Sequence, residues 1–302
     1  LLVDAAVRLA RGVGLSDLTI GLTVVAMSTS TPELAVSVDA ALEGLGNIAV
    51  ANVLGSNIYN VAFILGVVSM LKVIPITKSL LHRDGLALLG SVAASGVVIF
   101  DLAVSRTEGG ILVGLLVLYI AYLLRAGGPS TDSESGSTGE TPVTRTVTDR
   151  VSFRGRNVVF LIAGLALVLV SGNFMVLAAS ELARGVGISE WVVGGTIVAA
   201  GTSTPEFAVS LVAIRRGSLG VSVGNVIGSN IYNVTGILGV SALVRPLVVS
   251  GIALETLAWL AVVSGFVVAA LWTNRVLSRL EGALFTASEI GRWVLGLLGW
   301  FS

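Results

Sequence analysis

The sequence contains two copies of one segment, and this duplication limits what the chain can fold into more than any other feature. Residues 9–67 and 182–240 align without a gap at an offset of 173 residues, since 182 − 9 = 173. Of the 59 aligned positions 35 are identical, which is too many for chance, so the two halves must fold into the same unit. The offset returns near the end of each unit, where Ser105 and Glu108 match Ser278 and Glu281.

Each copy consists of apolar blocks that are long enough to cross a lipid bilayer. The chain is 54% hydrophobic and 12% charged, whereas a soluble domain carries about 25% charged residues. Blocks such as Gly85–Phe100, Ile111–Leu124 and Ile252–Trp272 are separated by short polar breaks. A transmembrane helix needs about 20 apolar residues. Because lipid offers the backbone no hydrogen bonds, the pattern predicts an all-α integral membrane protein whose main partner is the bilayer.

The block pattern predicts five spans in each half, ten in all. The first span has no complete counterpart before Leu1, so we expect it to be truncated in this chain. The predicted organisation is a first half at 1–125, a linker at 126–156 and a second half at 157–302. The predicted spans are roughly 18–42, 46–71, 85–103 and 108–125 in the first half, then 157–183, 191–214, 219–244, 251–273 and 281–300.

An odd number of spans in each half makes the two copies enter the membrane in opposite orientations. Such an inverted repeat is typical of secondary transporters, whose substrate site lies between the repeats near the middle of the membrane. Fourteen lysines and arginines fall on the side of the linker and three on the other side. This bias predicts a cytoplasmic linker and an external C-terminus. The linker is rich in Ser, Thr and Gly, so we expect a flexible tether.

The charge and the side-chain inventory exclude several classes of function. The net charge of zero provides no field for nucleic acid, and no protein partner is implied. The absence of cysteine and the single histidine, His82, exclude disulfides, thiolate metal sites and an imidazole cluster within one chain. No Ser/His, paired Asp or metal constellation suggests an intramembrane hydrolase. We therefore expect neither enzymatic activity nor a prosthetic group.

Two polar segments interrupt the apolar spans of each copy, and the first contains a glutamate. It reads STSTPE at 28–33 and GTSTPE at 201–206. Glu33 and Glu206 fall in the middle of predicted spans, where a carboxylate is costly and indicates an ion or proton pathway. Neither span contains an Arg or Lys that could form a structural ion pair. Because a proline cannot donate to the carbonyl four residues earlier, we expect freed carbonyls, such as that of Ser28, to face a cation.

The second polar segment adds neutral oxygens to each copy. Its residues are four apart and therefore share one face of a helix. Carboxylate, hydroxyl, amide and carbonyl oxygens suit hard cations such as Ca²⁺ and Na⁺, and two carboxylates neutralise one Ca²⁺. The residues concerned are Asn52, Ser56 and Asn60 in the first copy and Asn225, Ser229 and Asn233 in the second.

Other residues in the spans have structural interpretations. Glycines such as Gly55 and Gly228 are typical of close contacts between helices. Asn57 and Asn230 could either bond between helices or contact the ion, and the pattern leaves both open. Glu289 has no counterpart in the first copy, and we expect it to pair with the arginine three residues later.

These motifs resemble the alpha repeats of the sodium/calcium exchanger family, within the calcium/cation antiporter superfamily. The family segments Gly-Thr-Ser-x-Pro-Glu and Gly-Asn-x-x-Gly-Ser-Asn correspond here to STSTPE with ANVLGSN and to GTSTPE with GNVIGSN. The chain is most similar to the short prokaryotic members, because its linker lacks large calcium-binding domains. The resemblance implies an antiporter of the prokaryotic plasma membrane that exchanges Na⁺ for Ca²⁺ by alternating access.

The resemblance also implies which residues bind the transported ions. Glu33 and Glu206 would bind Ca²⁺ and share in Na⁺ binding, while Asn60 would line the centre of the site. The family often has an aspartate where this chain has Asn233, which makes the site symmetric and speaks against K⁺ cotransport. Ser28 stands in place of the usual glycine. Hydroxyls or backbone carbonyls for Na⁺ would come from Thr29, Thr202, Ser30, Ser203, Ser56, Ser229, Ala26 and Ala199.

Two other functions remain open from the sequence. A proton/Ca²⁺ antiporter is one, since both carboxylates could carry protons; its relatives have a glutamate after the Gly-Asn of the second segment, and neither copy has it. A cation channel is the other, because mid-membrane carboxylates also fit a pore. Proline-broken helices in inverted repeats favour a carrier over a channel.

Overall fold

The protein is described by a computed structural model that covers residues 17–75, 80–126, 174–179, 181–182, 185, 187–274 and 276–300. The described residues form helices joined by short loops, with two small β ribbons. The linker beyond Ala126, the residues before Asp17 and most of the predicted span 157–183 lie outside the described residues.

The described part of the first half contains helices α1 to α5 and strands β1 and β2. Three of these helices contain π-helical turns, in which the hydrogen bonds shift by one residue. Helix α1 comprises Asp17–Ile20, a π-helical turn at Gly21–Val25 and Ala26–Thr29, and α2 is Thr31–Glu43. Helix α3 comprises Gly46–Ile58, a π-helical turn at Tyr59–Ile64 and Leu65–Leu71, followed by β1 at Ile74–Pro75. Helix α4 comprises π-helical Leu80–Gly85 and Leu86–Ile99, β2 is Ala103–Val104, and α5 is Arg106–Ala126.

The second half repeats this order with helices α6 to α10 and strands β3 and β4. Helix α6 comprises Glu190–Val193, a π-helical turn at Gly194–Val198 and Ala199–Thr202, and α7 is Thr204–Arg215. Helix α8 comprises Leu219–Tyr232, a π-helical turn at Asn233–Leu238 and Gly239–Val244, followed by β3 at Leu247–Val248. Helix α9 is Ile252–Asn274, β4 is Val276–Leu277 and α10 is Arg279–Leu297.

The predicted spans agree closely with the long apolar helices. Within the described residues α3, α5, α8 and α9 are long and apolar enough to cross a membrane, and α6 with α7 passes the same test as one bent pair. The bounds of α3 and α8 confirm the predicted spans 46–71 and 219–244.

Three predicted spans, 18–42, 85–103 and 281–300, do not pass this test. The first of them contains only a shorter apolar helix, Leu18–Thr29. The regular part of α4, Leu86–Ile99, is only 14 residues long. Helix α10 carries four charged residues, and three of them have a structural role in or at the end of the helix. Glu281 closes a capping box with Ser278 at the start of the helix, and Glu289 pairs with Arg292 at 2.6 Å, as predicted.

The two polar segments that contain proline interrupt their helices, as predicted. Helix α6 meets α7 at an angle of 41°. The break falls at Ser203, and at Ser30 between α1 and α2, where ψ is near zero instead of helical. Each proline then lies in the first turn of the following helix, where its missing N–H costs no hydrogen bond.

The carbonyl of Ser28 is not free, so this part of the prediction is wrong. The hydroxyl of Thr31 donates to it over 3.1 Å, one residue before the proline that had released it. A threonine side chain can replace a lost backbone donor within the same turn. The proline therefore opens the helix without leaving this carbonyl unpartnered.

The two halves pack mainly against each other. Helix α8 packs on α1 as α3 packs on α6, and the last segments of α3 and α8 pack on α10 and α5. Both ribbons also take one strand from each half, because β1 pairs with β4 and β2 with β3, antiparallel in each case. The hydrophobic core therefore runs through the contact between the halves.

Glycines allow the helices of the two halves to touch backbone to backbone. A Cβ added at Gly55 on α3 would lie 2.5 Å from the carbonyl oxygen of Gly195 on α6. At the equivalent Gly228 on α8 it would lie 2.5 Å from the carbonyl oxygen of Leu22 on α1. These distances confirm the prediction that both glycines serve close packing.

Substituting Gly55→Ala should destabilise the fold by about 1–3 kcal/mol, because a methyl group must displace the α6 backbone. The measurement is the thermal unfolding midpoint in detergent. Gly114→Ala is the matched control, since a Cβ at Gly114 on α5 meets nothing within 4 Å. Equal unfolding midpoints for the two variants would contradict this prediction, because they would show that α3 and α6 can move apart by the width of a methyl group at little cost in free energy.

Candidate cation site

The two glutamates lie at the starts of α2 and α7, and each is held by a serine from the other half. Both side chains are completely buried. The hydroxyl of Ser203 donates to Glu33 Oε1 over 2.8 Å, and the hydroxyl of Ser30 donates to Glu206 Oε1 over 2.7 Å. Each serine lies three residues before the glutamate of its own half. The polar segments predicted from the sequence therefore meet at one place between the halves.

Four buried oxygens in this region have no hydrogen-bond donor among the residues that the structure describes. They are Oε2 of Glu33, Oε2 of Glu206, Oδ1 of Asn60 and Oδ1 of Asn233. They form two equivalent pairs, because each member of a pair is 173 residues from the other (206 − 33 and 233 − 60). A buried oxygen without a donor costs roughly 1–3 kcal/mol. A bound cation would satisfy such oxygens, because carboxylate and amide oxygens are ligands of hard cations.

Asn60 and Asn233 each lie one helical turn after a serine, Ser56 on α3 and Ser229 on α8. Ser229 Oγ lies 3.4 Å from Glu206 Oε1, and Asn233 follows Ser229 by four residues on α8. Ser56 precedes Asn60 by the same spacing on α3, but its hydroxyl points instead to the carbonyl of Ala199 over 3.4 Å. The two halves therefore differ slightly in how this serine is used.

Asn57 and Asn230 bond between the halves. The side-chain amide of each donates to the backbone carbonyl of the other over 3.1 Å. Their Oδ1 atoms accept from the amides of Asn233 and Asn60, over 3.0 Å in both cases. The sequence left open whether these asparagines bond between helices or contact the ion, and the structure shows that they bond between helices. It also fixes the orientation of Asn60 and Asn233, whose Nδ2 is used and whose Oδ1 is not.

Asn52 positions the helix break of both halves, a role that the sequence alone did not reveal. Its Nδ2 donates to the carbonyl of Glu33 over 3.3 Å and to Ser37 Oγ over 3.0 Å. Its Oδ1 accepts from the hydroxyl of Thr202 over 3.2 Å. Ser37 follows Glu33 by one helical turn, and this spacing was the available signal. In the second half Asn225 makes the same contacts with Glu206, Ser210 and Thr29.

The backbone carbonyls predicted for Na⁺ lie at the helix breaks and already accept hydrogen bonds. The carbonyl of Ala26 accepts from Ser30 N over 3.0 Å. The carbonyl of Ala199 accepts from Ser203 N over 3.0 Å and from the hydroxyl of Thr202 over 3.1 Å. The carbonyl of Ala26 also accepts from the hydroxyl of Thr29 over 3.2 Å, so both carbonyls accept more than one hydrogen bond. An ion bound at either carbonyl would therefore replace a hydroxyl donor.

The acidic residues of the site number two, and neither has an ion-pair partner among the described residues. The described ranges also contain no group of three or more His, Cys, Asp or Glu that could hold a metal ion. Cation affinity rises with the number of charged ligands. Two carboxylates with neutral oxygens are therefore suited to an ion that binds and leaves.

Comparison with known proteins identifies the family of the chain. The family model described as sodium/calcium exchanger protein matches residues 1–125 and 156–288. The chain belongs to the sodium/calcium exchanger family. This confirms the resemblance inferred from the motifs, and with it an integral membrane protein.

Relatives of this family member match most of its length. The putative antiporter CaxA of Alkalimonas amylolytica is 31% identical, covering 96% of this chain and 91% of that protein. The inner membrane protein YrbG of Escherichia coli K12 is 37% identical, covering 81% and 75%. The sodium/calcium exchanger MaX1 of Methanosarcina acetivorans is 31% identical, covering 83% and 80%. These similarities confirm the short prokaryotic type.

A solved structure supports the same assignment for this family member. The sodium-calcium exchanger NCX_Mj, soaked with 2.5 mM Na⁺ and 0.1 mM Ca²⁺, matches with a TM-score of 0.70 and 30% sequence identity. The match covers 96% of this chain and 90% of that protein. The helical architecture is thus that of a known exchanger.

The reciprocal bonds of Asn57 and Asn230 should appear as an energetic coupling in a double-mutant cycle. Asn57→Leu and Asn230→Leu should each destabilise the protein by about 1–3 kcal/mol, because each leaves amide or carbonyl groups of the other half unpaired. The double variant should cost less than the sum, by roughly 0.6–1.7 kcal/mol. Unfolding in detergent measures all four proteins, and strict additivity would contradict a direct interaction.

Proposed function

We propose that this family member is a secondary active antiporter that exchanges Na⁺ for Ca²⁺ by alternating access. One observation carries the proposal: four buried oxygens without donors, two from each half, belong to Glu33, Glu206, Asn60 and Asn233. The two carboxylates balance the charge of one Ca²⁺, and the two amides add neutral oxygens of the kind that Ca²⁺ accepts.

Sodium ions would share the same carboxylates. The neutral oxygens around the helix breaks are suitable for Na⁺, and a Na⁺ bound next to either glutamate would compete with Ca²⁺ for it. This competition is what exchange requires, because one ion must leave before the other binds. The residues that would complete the Na⁺ shells are Thr29, Thr202, Ser30, Ser203, Ser56, Ser229, Ala26 and Ala199.

The β ribbons support the inverted arrangement of two five-span halves. Strand β1 follows α3, and α4 then crosses back before β2. Strand β3 follows α8 but pairs with β2, whereas β1 pairs with β4. Helices α3 and α8 would therefore end at opposite faces of the membrane and run in opposite directions. This agrees with halves at 1–125 and 157–302 joined by a linker at 126–156.

We infer that the ions are held by the second and third spans of each half, which are α1 with α2, α3, α6 with α7, and α8. The first span of each half slides across them. The helices that carry the site are tied together by the asparagine bonds and glycine contacts, so access has to change elsewhere. Such rocking or gating around a fixed site is typical of inverted-repeat carriers.

Loop charges support a cytoplasmic linker, an external C-terminus and a location in the plasma membrane. On the predicted external face two of the three arginines have structural roles. Arg245 donates to the carbonyl of Leu42 at the end of α2 over 2.8 Å, and Arg106 to that of Val244 at the end of α8 over 3.2 Å. They stabilise helix C-termini, where positive charge is favourable.

Uptake of ⁴⁵Ca²⁺ into proteoliposomes tests the function. Vesicles loaded with Na⁺ and diluted into Na⁺-free medium should accumulate Ca²⁺ with saturable kinetics, while an outward proton gradient alone should not drive uptake. Uptake that only protons drive would instead make the protein a proton/Ca²⁺ antiporter. Flux without any requirement for a counter-ion would indicate a channel.

Removing either carboxylate charge should abolish exchange. Glu33→Gln and Glu206→Gln preserve the side-chain shape but leave Ca²⁺ with one compensating charge, and we expect Na⁺-driven uptake to fall at least about a hundredfold. Glu43→Gln is the matched control, because Glu43 is an exposed glutamate at the end of α2. Near-normal flux in either buried variant would remove that glutamate from the site.

A third carboxylate in the site should change how Ca²⁺ uptake depends on Na⁺ or pH, while Ca²⁺ itself is still transported. In Asn233→Asp we expect a shifted dependence of uptake on Na⁺ or pH, because the new carboxylate lies one helical turn from Ser229, which contacts Glu206. Asn60→Asp is the matched variant on the other half. Unaltered Na⁺ and pH profiles in Asn233→Asp would show that position 233 does not contact the ions.

A further inference from the structure

Four aromatic side chains form a continuous row that ends next to one of the buried glutamates. The ring of Tyr59 on α3 stacks on that of Phe63 with centroids 4.8 Å apart, and on that of Trp293 on α10 with centroids 6.1 Å apart. The ring of Phe63 meets that of Phe207 on α7 at 5.8 Å, with the two planes tilted by 53°. Because Phe207 directly follows Glu206, the row runs from α10 to the ion site.

The two ends of the row are held to different degrees. Trp293 donates its Nε1–H to Glu289 Oε1 over 2.7 Å, and Glu289 is held in turn by Arg292. The ring of Phe207 is partly exposed, and its one aromatic contact among the described residues is that with Phe63. A partly exposed side chain changes its rotamer much faster than a helix moves. The ring of Phe207 is therefore the member of the row that can rotate most easily.

The contact between Phe63 and Phe207 lies on the linker side of the ion site. In the proposed inverted arrangement α3 ends at the membrane face where the linker begins, and α7 ends at the same face, because α8 starts there. Phe63 follows Asn60 along α3, and Phe207 follows Glu206 along α7. Both rings therefore lie beyond the oxygens of the site in the direction of the linker. An ion that leaves between α3 and α7 has to pass them.

The equivalent place in the other half is closed by different side chains. The positions 173 residues from Phe207 and Phe63 hold Leu34 and Gly236 (207 − 173 and 63 + 173). A Cβ added at Gly236 would lie 2.8 Å from a ring carbon of Tyr232, so this tyrosine ring covers the glycine and no pair of phenyl rings forms. The packing of the repeat therefore does not require the two phenylalanines. Phenyl rings offer a cation no oxygen, and an apolar constriction excludes water and ions.

We propose that the rings of Phe63 and Phe207 form the barrier between the ion site and the solution on the linker side, and that rotation of Phe207 opens it. The inference rests on the proposed exchange function, because only a carrier needs a barrier that opens on one side at a time. The size of the side chain at position 207 then sets how fast the site exchanges with the linker-side solution, while the oxygens of the site set its affinity for ions.

Thiol labelling measures access to the site and does not depend on transport. The chain has no cysteine, so Ser229→Cys places a single thiol beside Glu206, whose Oε1 lies 3.4 Å from Ser229 Oγ. The probe is a positively charged, membrane-impermeant methanethiosulfonate, added to inside-out vesicles that expose the linker side. Mass spectrometry measures the modified fraction with time. Phe207→Leu should speed this labelling about two- to tenfold, the weight of one aromatic pair, and Phe207→Trp should slow it.

Phe266→Leu is the matched control, because Phe266 is an exposed phenylalanine on α9. It should be labelled at the same rate as Ser229→Cys alone. Equal labelling rates in the control and in both variants of Phe207 would overturn the proposal. Faster labelling of Phe207→Leu from both membrane faces would overturn it too, because the substitution would then have loosened the whole site.

Equilibrium binding of ⁴⁵Ca²⁺ to the full chain in detergent separates a barrier from a ligand. Phe207→Leu and Phe207→Trp should bind Ca²⁺ with the dissociation constant of the unmodified protein, because neither substitution changes an oxygen of the site. A dissociation constant that rises in both variants would overturn the proposal, since Phe207 would then shape the site itself. Absence of Na⁺-driven uptake in the unmodified protein would contradict the exchange function, whereas the labelling rates would still decide whether Phe207 limits access.

Discussion

The structure depends on the hydrogen bonds by which each half holds the glutamate of the other. The side chains of Glu33 and Glu206 are completely buried and therefore cannot accept hydrogen bonds from bulk water. Each accepts a hydrogen bond from the serine at the helix break of the other half. Within a membrane a carboxylate without donors is very costly, so neither half could keep its glutamate buried alone. The site is therefore a property of the paired halves, and folding of the core and formation of the site are one event.

The asparagines and glycines make this shared region stiff. Asn57 and Asn230 exchange hydrogen bonds across the contact between the halves, while Oδ1 of Asn60 and of Asn233 accepts no bond from the described residues. Gly55 and Gly228 bring backbones of the two halves into contact nearby. The region around the two glutamates is therefore held by contacts from both halves.

Much of this arrangement could be predicted from the sequence because the membrane penalises polar residues so strongly. The long helices α3 and α8 match their predicted bounds, and the glutamates were identified because no cation lay in their spans. The π-helical turns were not predicted, because a backbone hydrogen bond that shifts by one residue does not change the amino-acid composition or the apolar pattern. The bond from Thr31 to the carbonyl of Ser28, and the contacts of Asn52 with Ser37, depend on rotamers that spacing alone does not define.

The contact between the halves is supported by one side chain that only the second half carries. Arg292 on α10 donates to the carbonyl of Gly195 over 3.0 Å, and this is the atom that Gly55 closely approaches. Because Glu289 holds the same guanidinium from within α10, the position of α6 is fixed at this carbonyl. Helix α6 ends beside Ser203, which donates to Glu33. The position 173 residues before Arg292 holds Tyr119, so two equivalent carboxylates lie on helices that are not held in equivalent ways.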